Sequence, residues 1–173
     1  MTSVIKVDTI QNSSGTNSIT VPSNTGRLDI PVFVMKASNI SQDVGAASAT
    51  KAEMNTTVVD THSMIDLTND RVIPTVAGYY AVSGMLRVQW DSTGSYLIVG
   101  IRKNGTAITN TQIQLGSSNI ENGQYPIPMT IVECNGTTDY IELWGQGSSA
   151  STFSDTTNLY DCTTLSGFLV RAT

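Results

Sequence analysis

The fold is decided by one stretch near the middle of the chain, Tyr79-Tyr80-Ala81-Val82-Ser83-Gly84-Met85-Leu86-Arg87-Val88-Gln89-Trp90. Every second position from Tyr80 to Trp90 is apolar or glycine, whereas the positions between them begin apolar and become polar toward Gln89. Because successive side chains of a strand point to opposite faces, this alternation predicts a strand with one face in the core of a sandwich. We expect the other, half-apolar face to be partly buried against something outside the sandwich.

The stretch that follows, residues 96–103, is apolar on both of its faces. Leu97, Val99 and Ile101 alternate with Tyr96, Ile98 and Gly100. An antiparallel sandwich leaves the outer face of each sheet in water, so a strand that is apolar on both faces needs further cover. We therefore predict an oligomer whose interface uses the outward residues of both strands, Tyr79, Ala81, Met85, Tyr96 and Ile98. The alternative is that a loop of the same chain covers them.

Two Asn-Gly pairs predict hairpins, because Asn-Gly supplies the positive φ angles of a type I′ turn. Asn104-Gly105 should lead into a strand over residues 106–115, with Ile113 and Leu115 facing inward. Asn135-Gly136 should join residues 127–134 to residues 139–144, with Ile127, Met129 and Ile131 facing inward. Strands at this spacing, separated by Gly and Asn turns, predict a sandwich or jelly roll.

The first 27 residues differ in pattern from the rest of the chain, because short apolar clusters alternate there with polar stretches. A segment of this kind cannot bury enough surface to fold alone. We predict an extended arm over residues 1–27, followed by one domain over residues 28–173. The arm should dock on a partner or on other copies of the chain, or else stay loose. The docking residues are predicted to be Val4, Ile5, Val7, Ile10, Ile19 and Val21.

Four motifs in order resemble the C1q/TNF-like jelly roll. The segment from Val72 to Tyr80, with Pro74 and Gly78, is similar to the family's F-x-x-P-x-x-G-x-Y signature. The other three resemble its first strand, its K-N-G hairpin and its closing strand, and they are Pro31-Val32-Phe33-Val34, Lys103-Asn104-Gly105 and Ser166-Gly167-Phe168-Leu169. The resemblance covers residues 28–173 and implies an antiparallel jelly roll that forms a compact homotrimer. The resemblance does not imply a ligand.

The opening segment, Ser3 to Gln11, is similar to the N-termini of bacteriophage structural proteins. In those proteins it precedes fibre-like or C1q-like domains, so the resemblance implies a virion protein assembled in the host cytoplasm. The first residues also lack a charged head followed by an apolar run, so we expect no secretory signal.

Composition excludes several classes of function. Net charge is −5 and Lys and Arg total 9 without a basic cluster, so nothing predicts a face for nucleic acid. No window approaches the roughly 20 apolar residues of a membrane span. Charged residues make up only 13%, which is typical of virion surface proteins and equally of chains rich in strands.

Few residues of the chain are candidates for catalysis or metal binding. His62 is the single histidine and has no evident nucleophile partner, Cys134 and Cys162 lack metal-ligand spacing, and the aspartates match no calcium loop. We predict no enzyme, no metal and no cofactor. The aromatic residues Trp90, Trp144, Tyr125 and Tyr160 leave two interpretations open, of which packing in the core or an interface is favoured over a sugar-binding surface.

Two functions fit these expectations. The first is a capsid decoration or cement protein, whose arm docks on the major capsid protein and whose threefold symmetry matches the shell. A short arm without a shaft favours this stud-like role. The alternative is the head of a short tail fibre, attached through a tail adaptor and binding a host receptor or glycan through loops at residues 91–94, 116–124 and 148–157.

Overall fold

The computed structural model describes residues 9–11, 18–20, 30–90, 94–108, 111–120, 123–154 and 163–173. Contacts divide the chain into two units, Met1–Ile30 and Pro31–Thr173, whereas the sequence predicts a boundary after residue 27. In the first unit, β1 (Thr9–Gln11) pairs antiparallel with β2 (Ser18–Thr20), which sets Ile10 opposite Ile19. The other predicted docking residues, Val4, Ile5, Val7 and Val21, lie outside the described residues.

The second unit is built from fourteen strands in its described part. They are β3 (Val32–Lys36), β4 (Ser41–Val44), β5 (Thr50–Lys51), β6 (Thr56–Asp60), β7 (Ile65–Asp66), β8 (Arg71–Val72), β9 (Ala77–Trp90), β10 (Gly94–Lys103), β11 (Thr106–Ala107), β12 (Ile113–Ile120), β13 (Gly123–Asn135), β14 (Ile141–Gly147), β15 (Ser151–Ser154) and β16 (Thr164–Ala172). None of the described segments is a helix of the length and apolarity that crossing a membrane requires.

These strands form two antiparallel sheets. The first sheet runs β13-β9-β16-β3-β6 across its width, and β15 and β4 continue it beside the far end of β9. In the second sheet, β10 pairs with β14 on one side and with β11 and β12 on the other. Strands β5, β8 and β7 complete it beyond β14. From β9 onward the chain enters the second sheet at β10, returns to the first at β13, enters the second again at β14 and returns at β15, so the two layers are interleaved in sequence.

The core lies between the two sheets, and the predicted alternation of β9 and β10 is confirmed. Tyr80, Val82, Leu86 and Val88 of β9 are buried, as are Leu97, Val99 and Ile101 of β10. The Tyr80 hydroxyl donates to the Val76 carbonyl at 2.8 Å, which satisfies the one polar atom of a side chain otherwise suited to the core. Closing strand β16 adds Leu165 to this core, opposite Met35 of β3.

Strand β13 contradicts the predicted inward set of Ile127, Met129 and Ile131. Ile127 is buried, but a register shift between Ile127 and Thr130 turns Met129 and Ile131 outward, where they are 65% and 53% exposed. Because side chains alternate with a period of two, one bulge exchanges the faces of every residue beyond it. Pro126 and Pro128 lie on an edge strand, as their lack of an N–H donor predicts.

The two Asn-Gly pairs differ in outcome. Asn104 and Gly105 have φ angles of 53° and 76° and close the predicted hairpin from β10 to β11. The prediction for Asn135-Gly136 is wrong, because β13 and β14 belong to different sheets and the pair begins a crossover loop. In that loop the Asn135 side-chain oxygen accepts from the backbone N–H groups of residues 137–139, so it organises a turn without pairing the strands.

The strand expected after the first hairpin is divided into β11 and β12. Ile113 is half-buried and packs against the core, in line with the prediction. Leu115, also predicted to face inward, lies opposite Leu97 but remains exposed at the edge of the second sheet.

Candidate functional site

The outward side of the first sheet carries a continuous apolar surface. One row runs directly across four strands and consists of Ile131, Ala81, Phe168 and Val32. Val34 and Val59 adjoin it in the next row, and the exposed side chains of Met129 and Val170 flank it. We call this surface, Val32, Val34, Val59, Ala81, Met129, Ile131, Phe168 and Val170, the apolar face. Phe168 is 45% exposed, so a large part of its phenyl ring is in contact with water, which is unfavourable for an apolar side chain.

Charged side chains lie at the ends of the apolar face. At one end Tyr79 is set between Glu133 and Arg171, and at the other Lys36 lies opposite Thr164. The middle contains a depression of about 140 Å³ between Met129 and Phe168. Its polar groups include the Ser83 and Ser166 hydroxyls, which are 3.2 Å apart and hydrogen-bonded to one another. An apolar centre with a polar rim is the usual construction of a protein interface.

The structure does not bring the five predicted interface residues together. Tyr79, Ala81 and Met85 lie on the outward side of β9, in the first sheet. Tyr96 and Ile98 lie on β10, in the second sheet, and both are partly buried within the chain. Ala81 is only 2% exposed, because Ile131 and Phe168 stand on either side of it. One planar contact therefore cannot use all five residues.

Sequence reasoning missed the main residues of the apolar face. The sequence predicts Met129 and Ile131 inward, because nothing in it marks the bulge that reverses them. Phe168 belongs to the closing-strand motif, and its alternation with the buried Leu165 and Gly167 indicates an outward side chain.

The outward side of the second sheet is different in character. Trp144 lies opposite Gly100 on one side and Lys51 on the other. Its indole Nε1 donates to Glu142 Oε2 at 3.1 Å, and Lys51 Nζ lies 3.2 Å from Glu142 Oε1. The guanidinium carbon of Arg102 stands 3.9 Å from the centre of a Trp144 ring, in cation–π contact. Trp144 belongs to a polar network on an outer face and so does not pack in the core, whereas the prediction that it packs in an interface stays a prediction.

The remaining candidate residues form no catalytic constellation in the described part of the chain. His62 is half-buried, with Nδ1 2.9 Å from the Thr61 hydroxyl. Cys134 is a buried free thiol, and burial raises its pKa to about 11, so it is a poor nucleophile. Tyr125 packs against the core, whereas Tyr160, Cys162 and the side chain of Trp90 lie outside what is described.

Metal-binding residues are equally scattered. Among the described residues, no three His, Cys, Asp or Glu side chains lie close enough together to hold a metal ion. Asn69 and Arg71 donate to Asp66 and hold the pKa of its carboxyl below the usual range. Asp70 accepts from the Met54 N–H. These aspartates therefore have structural partners.

The comparisons with known proteins bear on the fold. The globular domain of zebrafish complement 1qA protein superimposes with a TM-score of 0.54 at 10% identity, covering 83% of this chain and 99% of that one. The chain has a C1q-like jelly-roll fold. At this identity the likeness establishes the architecture alone. Neither a protein-family model nor a curated protein matches the sequence. The antiparallel jelly-roll fold that the four motifs imply is thus confirmed.

Proposed function

We propose that this chain is a non-enzymatic structural protein that assembles as a homotrimer through the apolar face of its first sheet. The observation that carries the proposal is the exposed row formed by Ile131, Phe168 and their neighbours. Soluble monomers rarely expose a contiguous apolar patch of more than a few hundred Å², and larger patches mark interaction sites. The same chain is the partner because the C1q/TNF-like jelly roll implies three copies around a threefold axis.

The geometry supports a contact between unlike surfaces, which is what a threefold axis requires. Strand β13 is an edge strand in the described sheet, and Met129 and Ile131 project from it. In the proposed trimer, this edge of one copy packs on the middle of the apolar face of the next. The bulge and the two prolines of β13 oppose continued strand pairing along the edge, so the contact is one of side chains.

Multi-angle light scattering of the full-length protein tests the assembly. The expected mass is that of three chains, with each chain contributing 18.4 kDa. A species that stays monomeric from micromolar to millimolar concentration would refute the proposed interface.

The proposed place of the trimer is the surface of a bacteriophage particle, as a decoration or cement protein of the capsid. The support is the resemblance of Ser3 to Gln11 to phage structural proteins, together with an N-terminal unit distinct from the jelly roll. The paired Ile10 and Ile19 backbone of that unit offers edges to which strands of the major capsid protein could add.

Quantitative mass spectrometry of purified particles tests the capsid role. A decoration protein should be present at on the order of hundreds of copies, as icosahedral symmetry requires. A few copies that separate with isolated tails would instead assign the protein to a tail fibre. That second role is favoured by one observation: the start of β10 and the end of β14, which adjoin the predicted receptor loops at residues 91–94 and 148–157, meet where Ser148 Oγ accepts from the N–H groups of Ser95 and Tyr96. Strands β12, β13 and β15 occupy many of the other predicted loop residues.

A further inference from the structure

A second surface lies away from the apolar face, on the outward side of the second sheet. It is a half-open depression of about 60 Å³ above Gly100. Its walls include Ile98 and Arg102 of β10, Trp144 and Gln146 of β14, and Gln112. The depression exists because Gly100 stands opposite Trp144 without a side chain. A Cβ at position 100 would approach the Gln112 Cγ to 3.2 Å and would begin to fill it.

Arg102 is held in place by an aromatic ring and a backbone carbonyl, and its partner in register is Glu142. Its guanidinium stacks on Trp144, and Nη1 donates to the Gly105 carbonyl at 3.3 Å. It forms no ion pair with any carboxylate in the described part of the chain. Arg71 provides the contrast, since it lies 5.0 Å from the Tyr140 ring and is paired with Asp66 at 2.9 Å. Among the described residues only the Gly105 carbonyl accepts from the Arg102 guanidinium, so its other N–H donors are oriented and available at the depression. A guanidinium fork matches a carboxylate in shape.

A supporting network fixes the aromatic wall. Glu142, only 5% exposed, accepts the Trp144 indole N–H and is neutralised by Lys51, which in turn donates to the Asn69 carbonyl at 2.7 Å. The indole orientation is thus set before any ligand arrives, which reduces the entropy lost on binding. Gln146 is also positioned, because its Nε2 donates to the Ala47 carbonyl and leaves Oε1 as an acceptor.

We propose that this depression binds a saccharide unit that carries a carboxylate. Arg102 pairs with the carboxylate, Ile98 and Trp144 contact the C–H face of the sugar ring, and the Gln112 and Gln146 amides bond its hydroxyls. The residues of the depression contact different parts of such a ligand. A small free carboxylate would make no contact with the two amides, and a neutral sugar would make no ion pair with Arg102. The site does not overlap the proposed trimer interface, since its strand residues belong to the other sheet and Gln112 lies directly before β12.

The test is titration of the full-length protein with D-glucuronate, D-glucose, glucose 6-phosphate and acetate, followed by isothermal calorimetry and by the Trp indole N–H signals in NMR spectra. Glucuronate should bind saturably and shift the Trp144 signal, with an affinity at least about tenfold above that of glucose and of acetate. No saturable response to glucuronate, equal affinity for glucose or acetate, or tighter binding of glucose 6-phosphate would overturn the assignment.

Three variants locate the site. Arg102→Met keeps packing on the indole but removes the charge, and it should weaken glucuronate binding about tenfold or more. Gly100→Ala partly fills the depression and should weaken it with Arg102 intact. Arg71→Met removes the same charge elsewhere and should leave the affinity unchanged. An unaltered affinity in Arg102→Met, with circular dichroism showing a native fold, would refute the site whatever the oligomeric state.

Discussion

The two sheets share one core, but the side chains on their outward sides differ in polarity. The first sheet exposes Phe168 and Ile131 to solvent in the isolated chain. The second sheet covers its outer middle with charged and amide side chains of its own, centred on Trp144, Arg102 and Glu142. Among the described residues, the second sheet therefore covers its outer side with its own polar side chains, whereas the first sheet leaves its outer side apolar. In the proposed trimer another copy buries the first sheet, so one sandwich would support assembly on one side and recognition on the other.

The most direct test of this difference between the two sheets is a charge in the centre of the apolar face. Phe168→Asp should convert the trimer into monomers. Each copy loses about 1.5–3 kcal/mol of phenyl burial and gains a desolvated carboxylate, so the total is about 5 kcal/mol or more per trimer. Light scattering and sedimentation velocity measure the change in mass.

The matched control places the same charge on the other sheet. Ile98→Asp should remain trimeric, provided that circular dichroism shows a folded chain. Dissociation by Ile98→Asp with Phe168→Asp still trimeric would move the interface to the second sheet, as the apolar alternation of residues 96–101 first suggested.

A second phenylalanine of the first sheet, Phe33, tests the inner side of that sheet, whereas Phe168 tests its outer side. Phe33 is fully buried and faces the core, close to the inward side of Gly167. Phe33→Ala should lower the free energy of unfolding of each chain by about 3–5 kcal/mol, the usual cost of such a cavity. Urea unfolding measures it.

The effect of Phe33→Ala should differ from that of Phe168→Asp in its dependence on protein concentration. A core defect destabilises the folded chain at any concentration, so the stability difference should persist at constant protein concentration in the monomeric Phe168→Asp background. A loss of less than about 1 kcal/mol there would mean that Phe33 is not a core residue.

Much of the fold could be predicted because its signals are local. The alternation of Tyr80, Val82, Leu86 and Val88 requires only that a strand has two faces, and the structure confirms it. The outward faces could not be predicted, because they depend on register. A single bulge before Thr130 decides whether Ile131 is core or surface, and Asn135-Gly136 suits a crossover as well as a hairpin.

The candidate sites were harder to predict for a related reason. Arg102, Glu142 and Trp144 meet only through the pairing of β10 with β14, and the sequence does not specify that pairing. The predicted interface combined residues of two sheets because the apolar faces of β9 and β10 look alike in sequence. Pairing and exposure, which are properties of the assembled sheets, distinguish them.

The covered side of the second sheet can be tested at its buried carboxylate. Glu142→Gln keeps an acceptor for the Trp144 indole but removes the ion pair with Lys51. Because Lys51 remains partly in water, the expected loss is about 1–2 kcal/mol of unfolding free energy, less than for a fully buried pair. Urea unfolding measures the loss, and light scattering should still show the trimer. A change of oligomeric state would show that the two outer faces are coupled.

The smallest expected effect concerns the connection between the sheets, where the chain passes from β13 to β14. There the side chains of Asn104 and Lys103 hold the pKa of the Asp139 carboxyl below its usual range. A carboxyl whose pKa is lower in the folded state stabilises the fold above its unfolded pKa of about 3.9, and this contribution is lost as the pH falls through the folded value. Between pH 5 and pH 2, the free energy of unfolding in urea should therefore depend less on pH in Asp139→Asn than in the parent protein, by less than about 1 kcal/mol.

Asp66→Asn lies at the turn between β7 and β8, within the second sheet, and should separately reduce the loss of stability in acid. The two effects should add, because the two sites have no common partner. An acid profile of Asp139→Asn that matches the parent would show that this carboxylate does not help to join the sheets.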